Sequence, residues 1–150
     1  MARTPVGRTG IGMAYFFLPK FLSRPYKQNA RVEKDLIVSF TSFTARIDNV
    51  WQVVECLKRQ TLQPDKILLW LSKDQFPTED SIPDSLLNRR DEQFEIRMVE
   101  GDIRSHKKYY YAAKEYPNYL LFLIDDDIYY DTDIIRRSVD AYNDYGTKCV

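Results

Sequence analysis

The sequence predicts an α/β protein built on a parallel sheet, and three observations carry that prediction. Short unbroken apolar runs, "LIVSF", "ILLWL" and "YLLFLI", recur along the chain, as expected of strands buried on both faces. Between them lie longer segments whose apolar residues fall at helical spacing. Strand and helix alternate in chain order, which is the order a parallel sheet with right-handed crossovers requires.

Taken in order, "DLIVSF" (Asp35 to Phe40) reads as the first buried strand. "IDNVWQVVECLKRQ" follows as a helix, with Ile47, Val50, Trp51, Val54 and Leu57 on one face and Asp48 near its start. A Pro-Asp turn leads into a second strand from Lys66 to Leu71. The Pro/Asp/Ser-rich stretch from Lys73 to Leu87 reads as a loop with one short helix before Arg90. "FEIRMVE" (Phe94 to Glu100) alternates polar and apolar, marking a third strand nearer the sheet edge. Lys107 to Glu115 suits a helix stopped by Pro117, and one or two of Tyr109, Tyr110 and Tyr111 must turn to the core, since three successive residues cannot share a face. "YLLFLI" is the fourth strand, expected to be buried on both faces, and Ile134 to Tyr142 starts a last helix after the capping "DTD" of Asp131 to Asp133. "KCV" at the end reads as the start of a further strand, so the chain is expected to be the front half of a larger fold. With strand order 3-2-1-4, the ends of strands 1 and 4 flank the switch point where such sheets bind ligands.

At 150 residues, 44% of them hydrophobic, the chain suffices for one packed domain. Lys plus Arg and Asp plus Glu both count 22, which gives no reason to expect a nucleic-acid partner. The charge is nevertheless segregated. Residues 1–34 carry Arg3, Arg8, Lys20, Arg24, Lys27, Arg31 and Lys34 against Glu33, about +6, leaving about −6 for residues 35–150. We therefore divide the chain into a basic arm (1–34) and a ligand-binding half-domain (35–150). The apolar patch from Ile11 to Leu22 is too short to span a bilayer and is interrupted by Lys20. The arm suits peripheral contact with an anionic membrane surface, or equally a tail packed on the domain. Cys56 and Cys149 fit neither a disulfide framework nor a zinc site. A reducing, cytoplasmic location is the expectation, and on the first of these two readings the arm would lie at the inner face of the membrane.

The chemistry concentrates at "IDDDIYY". Three adjacent carboxylates at the end of an apolar strand repel one another and need a compensating partner. If the strand stays extended, Asp125 and Asp127 point to one side and Asp126 to the other. With no Cys or His beside them, oxygen ligation favours Mg²⁺ or Mn²⁺, shared with a ligand's phosphates. Helix capping would need only one such oxygen. In "SHKKYYYAAKEY", Lys107 and Lys108 oppose the dipole at a helix start, a placement that makes sense if an anion such as a diphosphate sits there; a solvated basic turn is the plain alternative. His106 ranks low as a base. The loop "TSFTAR" offers Thr41, Ser42, Phe43 and Arg46, able to stack a base and pair a phosphate, although a plain capped turn would look similar.

These segments together, "IVSFTSFTARIDNVWQVVECLKRQTLQPDKILLWLS", "GDIRSHKKYYYA" and "YLLFLIDDDIYY", resemble the nucleotide-sugar-binding half of a GT-A glycosyltransferase. The likeness is to the family 2-like enzymes of bacterial surface polysaccharide synthesis, over roughly Asp35 to Tyr145. It implies a Rossmann-like GT-A fold cut short after the DxD strand and its following helix. Asp125 and Asp127 would match the DxD pair that holds the metal, and Asp125 and Asp126 would serve the donor. Thr41 to Arg46 would form the nucleotide-side loop, and Ser72 and Asp74 would contact the base. The turn there reads "SKDQF", where many family 2 enzymes carry an acidic, Gly/Ser-containing turn. The implied activity is sugar transfer from a nucleoside-diphosphate sugar to a glycan or lipid-linked acceptor, with Mn²⁺ or Mg²⁺. In inverting members the base lies in the second half, so no catalytic residue is assigned. Two rivals stand beside this expectation. One is a catalytically silent nucleotide-sugar-binding or interaction domain. The other is a metal-dependent phosphatase or nuclease, for which Glu100 and Asp102 are the nearby extra carboxylates.

Overall fold

Strand β1 (Leu36–Thr41) lies at the heart of the sheet because every one of its first five residues is buried. It pairs in parallel with β2 (Lys66–Ser72) on one side and with β4 (Leu120–Leu123) on the other, and β3 (Phe94–Val99) adds in parallel to β2. These facts come from a computed structural model, which describes residues 35–145. The sheet order among them is β3-β2-β1-β4, the order on which placing the ligand site between strands 1 and 4 depends. The basic arm and "KCV" lie outside the described residues, and with them the expectations about the membrane and a further strand. Among the described residues no helix is long and apolar enough to cross a membrane.

Period-two alternation sends each strand's apolar residues to both faces, and both faces are covered. On one face Leu36, Val38, Phe40, Ile67, Leu69 and Leu71 pack with residues of α1 (Val50–Lys58) and α4 (Ile134–Tyr145). Val50, Val53, Val54 and Leu57 supply the buried side of α1, and Ile135 and Val139 that of α4. On the other face Ile37, Leu68 and Trp70 meet Ala112, Tyr111 and Tyr116, from α3 (Lys107–Glu115) and the residue just after it. Helices on opposite faces are what a doubly wound sheet requires when its order reverses beside β1. Of the three tyrosines of α3, Tyr111 stacks on Trp70 with centroids 5.4 Å apart, while Tyr109 and Tyr110 are exposed. A single turn, α2 (Asp84–Leu87), and a 3₁₀ turn (Glu79–Ser81) fill the predicted loop after β2.

One expectation is corrected. β4 is not buried on both faces: Leu120, Leu121 and Phe122 are half-buried and Leu123 is 41% exposed. Among the described residues it has a neighbour, β1, on one side only, so its side chains are covered from one flank. An apolar run reports hydrophobicity, and whether another strand flanks it is not encoded in that run.

Candidate functional site

Four chain segments meet beyond the C-terminal ends of β1, β2 and β4, and enclose a cleft of about 520 Å³. Thr41, Ser42, Phe43 and Arg46 line it from the β1 loop, Gln75 from the β2 loop, Asp102, Arg104 and Ser105 from the β3–α3 connection running into Lys107 and Lys108 of α3, and Asp125 and Asp126 from the end of β4.

The β1 loop is held as a turn by the Phe43 carbonyl, which accepts from the Arg46 and Ile47 amides at 3.0 and 3.1 Å. Thr41 Oγ1 donates to the Trp70 carbonyl at 2.7 Å and ties the loop's start to β2. Ser42, 4% exposed, donates from Oγ to Asp126 Oδ2 at 2.5 Å. The Arg46 guanidinium sits over the Phe43 ring at 5.2 Å. Its Nη1 donates to Asp126 Oδ1 at 2.9 Å and lies 2.8 Å from Asp127 Oδ2. The hydrogen bond and charge of Asp126, with the charges of Asp127 and Asp125 behind them, raise the Arg46 pKa above its already high value.

The three aspartates do not continue the strand. β4 ends at Leu123, Ile124 is buried, and Asp126 and Asp127 form a turn. The alternation expected from an extended strand, with Asp125 and Asp127 together and Asp126 opposite, is therefore replaced by a different grouping. Asp126, whose side chain is 7% exposed, and Asp127 converge on Arg46. Asp125 instead accepts from Lys108 Nζ at 2.7 Å. The repulsion inherent in "DDD" is relieved by two protein cations from two other elements. The Tyr130 hydroxyl accepts the Asp125 amide at 3.0 Å. Burial, with the three nearby carboxylates adding to it, raises the pKa of this phenol.

Across the cleft, Gly101 and Arg104 both adopt left-handed backbone, at φ 70° and 54°. For arginine that conformation costs about 1–2 kcal/mol, so something must hold it. Asp102 does: its Oδ1 accepts the Arg104 amide at 2.8 Å. The same carboxylate also accepts from Lys107, which is 2% exposed, and from Gln75. The Lys107 hydrogen bond holds the Asp102 carboxyl below its ordinary range. Gln75 Oε1 in turn accepts the Thr44 amide at 3.3 Å, linking the β1 and β3 loops.

Nine of the residues singled out in the sequence line the cleft: Thr41, Ser42, Phe43, Arg46, Asp102, Lys107, Lys108, Asp125 and Asp126. Asp127 adjoins it through Arg46. Ser72 and Asp74 do not line it. Ser72 is buried, its Oγ and carbonyl accepting the amides of Asp74, Gln75 and Phe76, so it shapes the turn. Gln75, next along that turn, is the residue that reaches the cleft. Gln75, Arg104 and Ser105 escaped the sequence reading because a lone glutamine, arginine or serine in a loop carries no pattern. Of the extra carboxylates weighed for a phosphatase, Glu100 pairs with Lys73 and Asp102 is held by Lys107. Asp131 forms the acidic turn expected of it, while the Asp133 carboxylate accepts from the Thr61 hydroxyl. Asp131 Oδ1 accepts the Asp133 amide at 2.9 Å, and Asp131 Oδ2 pairs with Arg137 at 2.6 Å.

Among the described residues no three Asp, Glu, His or Cys side chains gather into a protein-only metal cage. The donors nevertheless fit a hard divalent ion held jointly with a ligand. One cationic nitrogen lies within 3 Å of both Asp126 and Asp127, all donors are oxygen, and Mg²⁺ commonly takes one or two carboxylates plus phosphates. Comparison with known proteins adds no assignment: no protein-family model, curated protein or solved structure matches the chain.

Proposed function

We propose that residues 35–145 form the nucleotide-sugar-binding part of a glycosyltransferase, which takes a nucleoside-diphosphate sugar as donor and a glycan or lipid-linked molecule as acceptor. The observation that carries this reading is the cleft at the switch point between β1 and β4, lined by hydroxyls, an exposed aromatic ring, four cations and a turn of carboxylates. In parallel sheets that position is where nucleotides and their phosphates bind. Phe43, 41% exposed, offers a face for the base, and Lys107, Lys108 and Arg46 surround the space for the diphosphate. Asp125, Asp126 and Asp127 would hold Mn²⁺ or Mg²⁺, which supplies neutralisation of charge on the leaving diphosphate. Ser42 and Arg46 orient Asp126, and Lys108 orients Asp125, before any ligand arrives.

A second reading, binding without turnover, is favoured by one feature. Each carboxylate lining the cleft is engaged by a cation: Asp102 by Lys107, Asp125 by Lys108 and Asp126 by Arg46. None is left to act as a general base. Calorimetric titration of UDP and GDP, with Mn²⁺ and then with chelator, tests what the two readings share. Metal-dependent binding is the expected result, and a folded chain that binds neither nucleotide refutes both. Release of free sugar or transfer to an added acceptor would then separate the enzyme from the binding domain.

A further inference from the structure

Every cation lining the cleft is paired with a carboxylate except one. Its lining holds four cations, Arg46, Arg104, Lys107 and Lys108, and three carboxylates, Asp102, Asp125 and Asp126. Arg46 pairs with Asp126 and also reaches Asp127, Lys107 pairs with Asp102, and Lys108 with Asp125. Arg104 is left: among the described residues its guanidinium meets no carboxylate. We propose that Arg104 is the cleft's anion-binding residue, and that its guanidinium receives the diphosphate of the ligand. The proposal deepens the nucleotide-sugar reading of the same cleft and rests on it for the identity of the ligand, though not for the anion site itself.

Three further features point the same way. Arg104 occupies a left-handed backbone position, φ 54°, that a glycine would fill without strain. Its loop is tied down by Asp102, which accepts the Arg104 amide while being gripped by the buried Lys107 and by Gln75. The loop therefore presents the side chain from a fixed backbone at the cost of local strain, a combination associated with functional positions. The residues next to it in space, Ser105 and Lys107, also line the cleft, so an anion reaching Arg104 remains within one enclosure. A guanidinium offers a planar pair of donors suited to two phosphate oxygens. Arg46, Lys107 and Lys108 already share their charge with carboxylates, whereas the Arg104 guanidinium brings its charge to an anion undivided.

The test is calorimetry of inorganic pyrophosphate, UDP and GDP on the full chain, wild type against Arg104→Gln and Arg104→Gly, in chelator and in Mn²⁺. Loss of a charged hydrogen-bond donor should weaken pyrophosphate binding in chelator by about tenfold or more in both variants. The glycine variant should melt no lower than wild type, because it relieves the left-handed strain while removing the guanidinium. Arg104→Gln keeps the side-chain stem and separates loss of charge from any change in the loop. Wild-type affinity for pyrophosphate in both variants overturns the proposal, as does absence of pyrophosphate binding to the wild type in either condition. Arg104-dependent pyrophosphate binding with UDP and GDP no tighter than pyrophosphate supports the anion site and refutes the nucleotide reading. Tight nucleotide binding indifferent to both substitutions does the reverse.

Discussion

Ser39 is fully buried in the middle of an apolar strand, and its hydroxyl serves two elements at once. It accepts the Trp70 indole N–H at 2.9 Å and donates to the Lys108 carbonyl. Ser39→Ala should therefore destabilise the protein by about 1–3 kcal/mol, the cost of a buried donor left without a partner, measurable as a lower urea midpoint with unchanged slope. Because the lost bond reaches Lys108, the same variant should also loosen the Lys108–Asp125 side of the cleft. Asp102 gives a pH signature. Its folded pKa is held below the ordinary 3.8, first by the Lys107 hydrogen bond, so in that acidic window the unfolded chain binds more protons than the folded one. Its contribution is fully present above the ordinary carboxylate range and is lost as pH falls through the depressed folded value. Urea unfolding at about pH 6 and about pH 3 should show that loss, and Asp102→Asn should flatten the difference. Cys56 is 2% exposed, and burial pushes its thiol up to about 11. It should resist a thiol reagent near pH 8 in the native protein and react on unfolding, with peptide mass spectrometry reading the site.

At the scale of elements, β2 and β4 contrast although both read as continuous apolar runs. Leu69 of β2 is fully buried, and Leu69→Ala should cost about 2–5 kcal/mol. Leu123 of β4 is 41% exposed, and Leu123→Ala should stay within about 0.5 kcal/mol. Chemical denaturation of the two variants decides between an edge strand and a buried one; a large loss at Leu123 would mean that β4 is covered in the protein. Helix α3 shows how an element positions a site. Tyr111 and Ala112 anchor it to the sheet, and its first turn thereby carries Lys107 to Asp102 and Lys108 to Asp125. Periodicity was enough to delimit this helix, since Lys107 to Glu115 emerges with the bounds expected. Which of its three tyrosines faces inward was not legible, because that depends on the helix's rotation against Trp70.

For the molecule as a whole, the proposed function predicts that Asp127→Ala abolishes metal-dependent nucleotide binding while the melting temperature is unchanged. Asp127 is half-exposed and touches only the outer part of the site through Arg46, so the fold does not lean on it. Unaltered affinity in that variant would remove the acidic turn from the binding site. What the sequence by itself determined is the α/β class, its parallel sheet and the strands and helices that build it, with β3-β2-β1-β4 an assumed order that the structure bears out. These follow from local signals, apolar runs and helical spacing, combined with the general handedness of crossovers. What only the tertiary structure decided is who meets whom in the cleft. Arg46 and Asp126 are 80 residues apart in sequence, and the turn at Asp126 and Asp127, which no strand-based count anticipates, sets their pairing. That Arg104 alone of the cleft's cations meets no carboxylate emerged in the same way, because which cation stays unpaired is decided by partners distant in sequence.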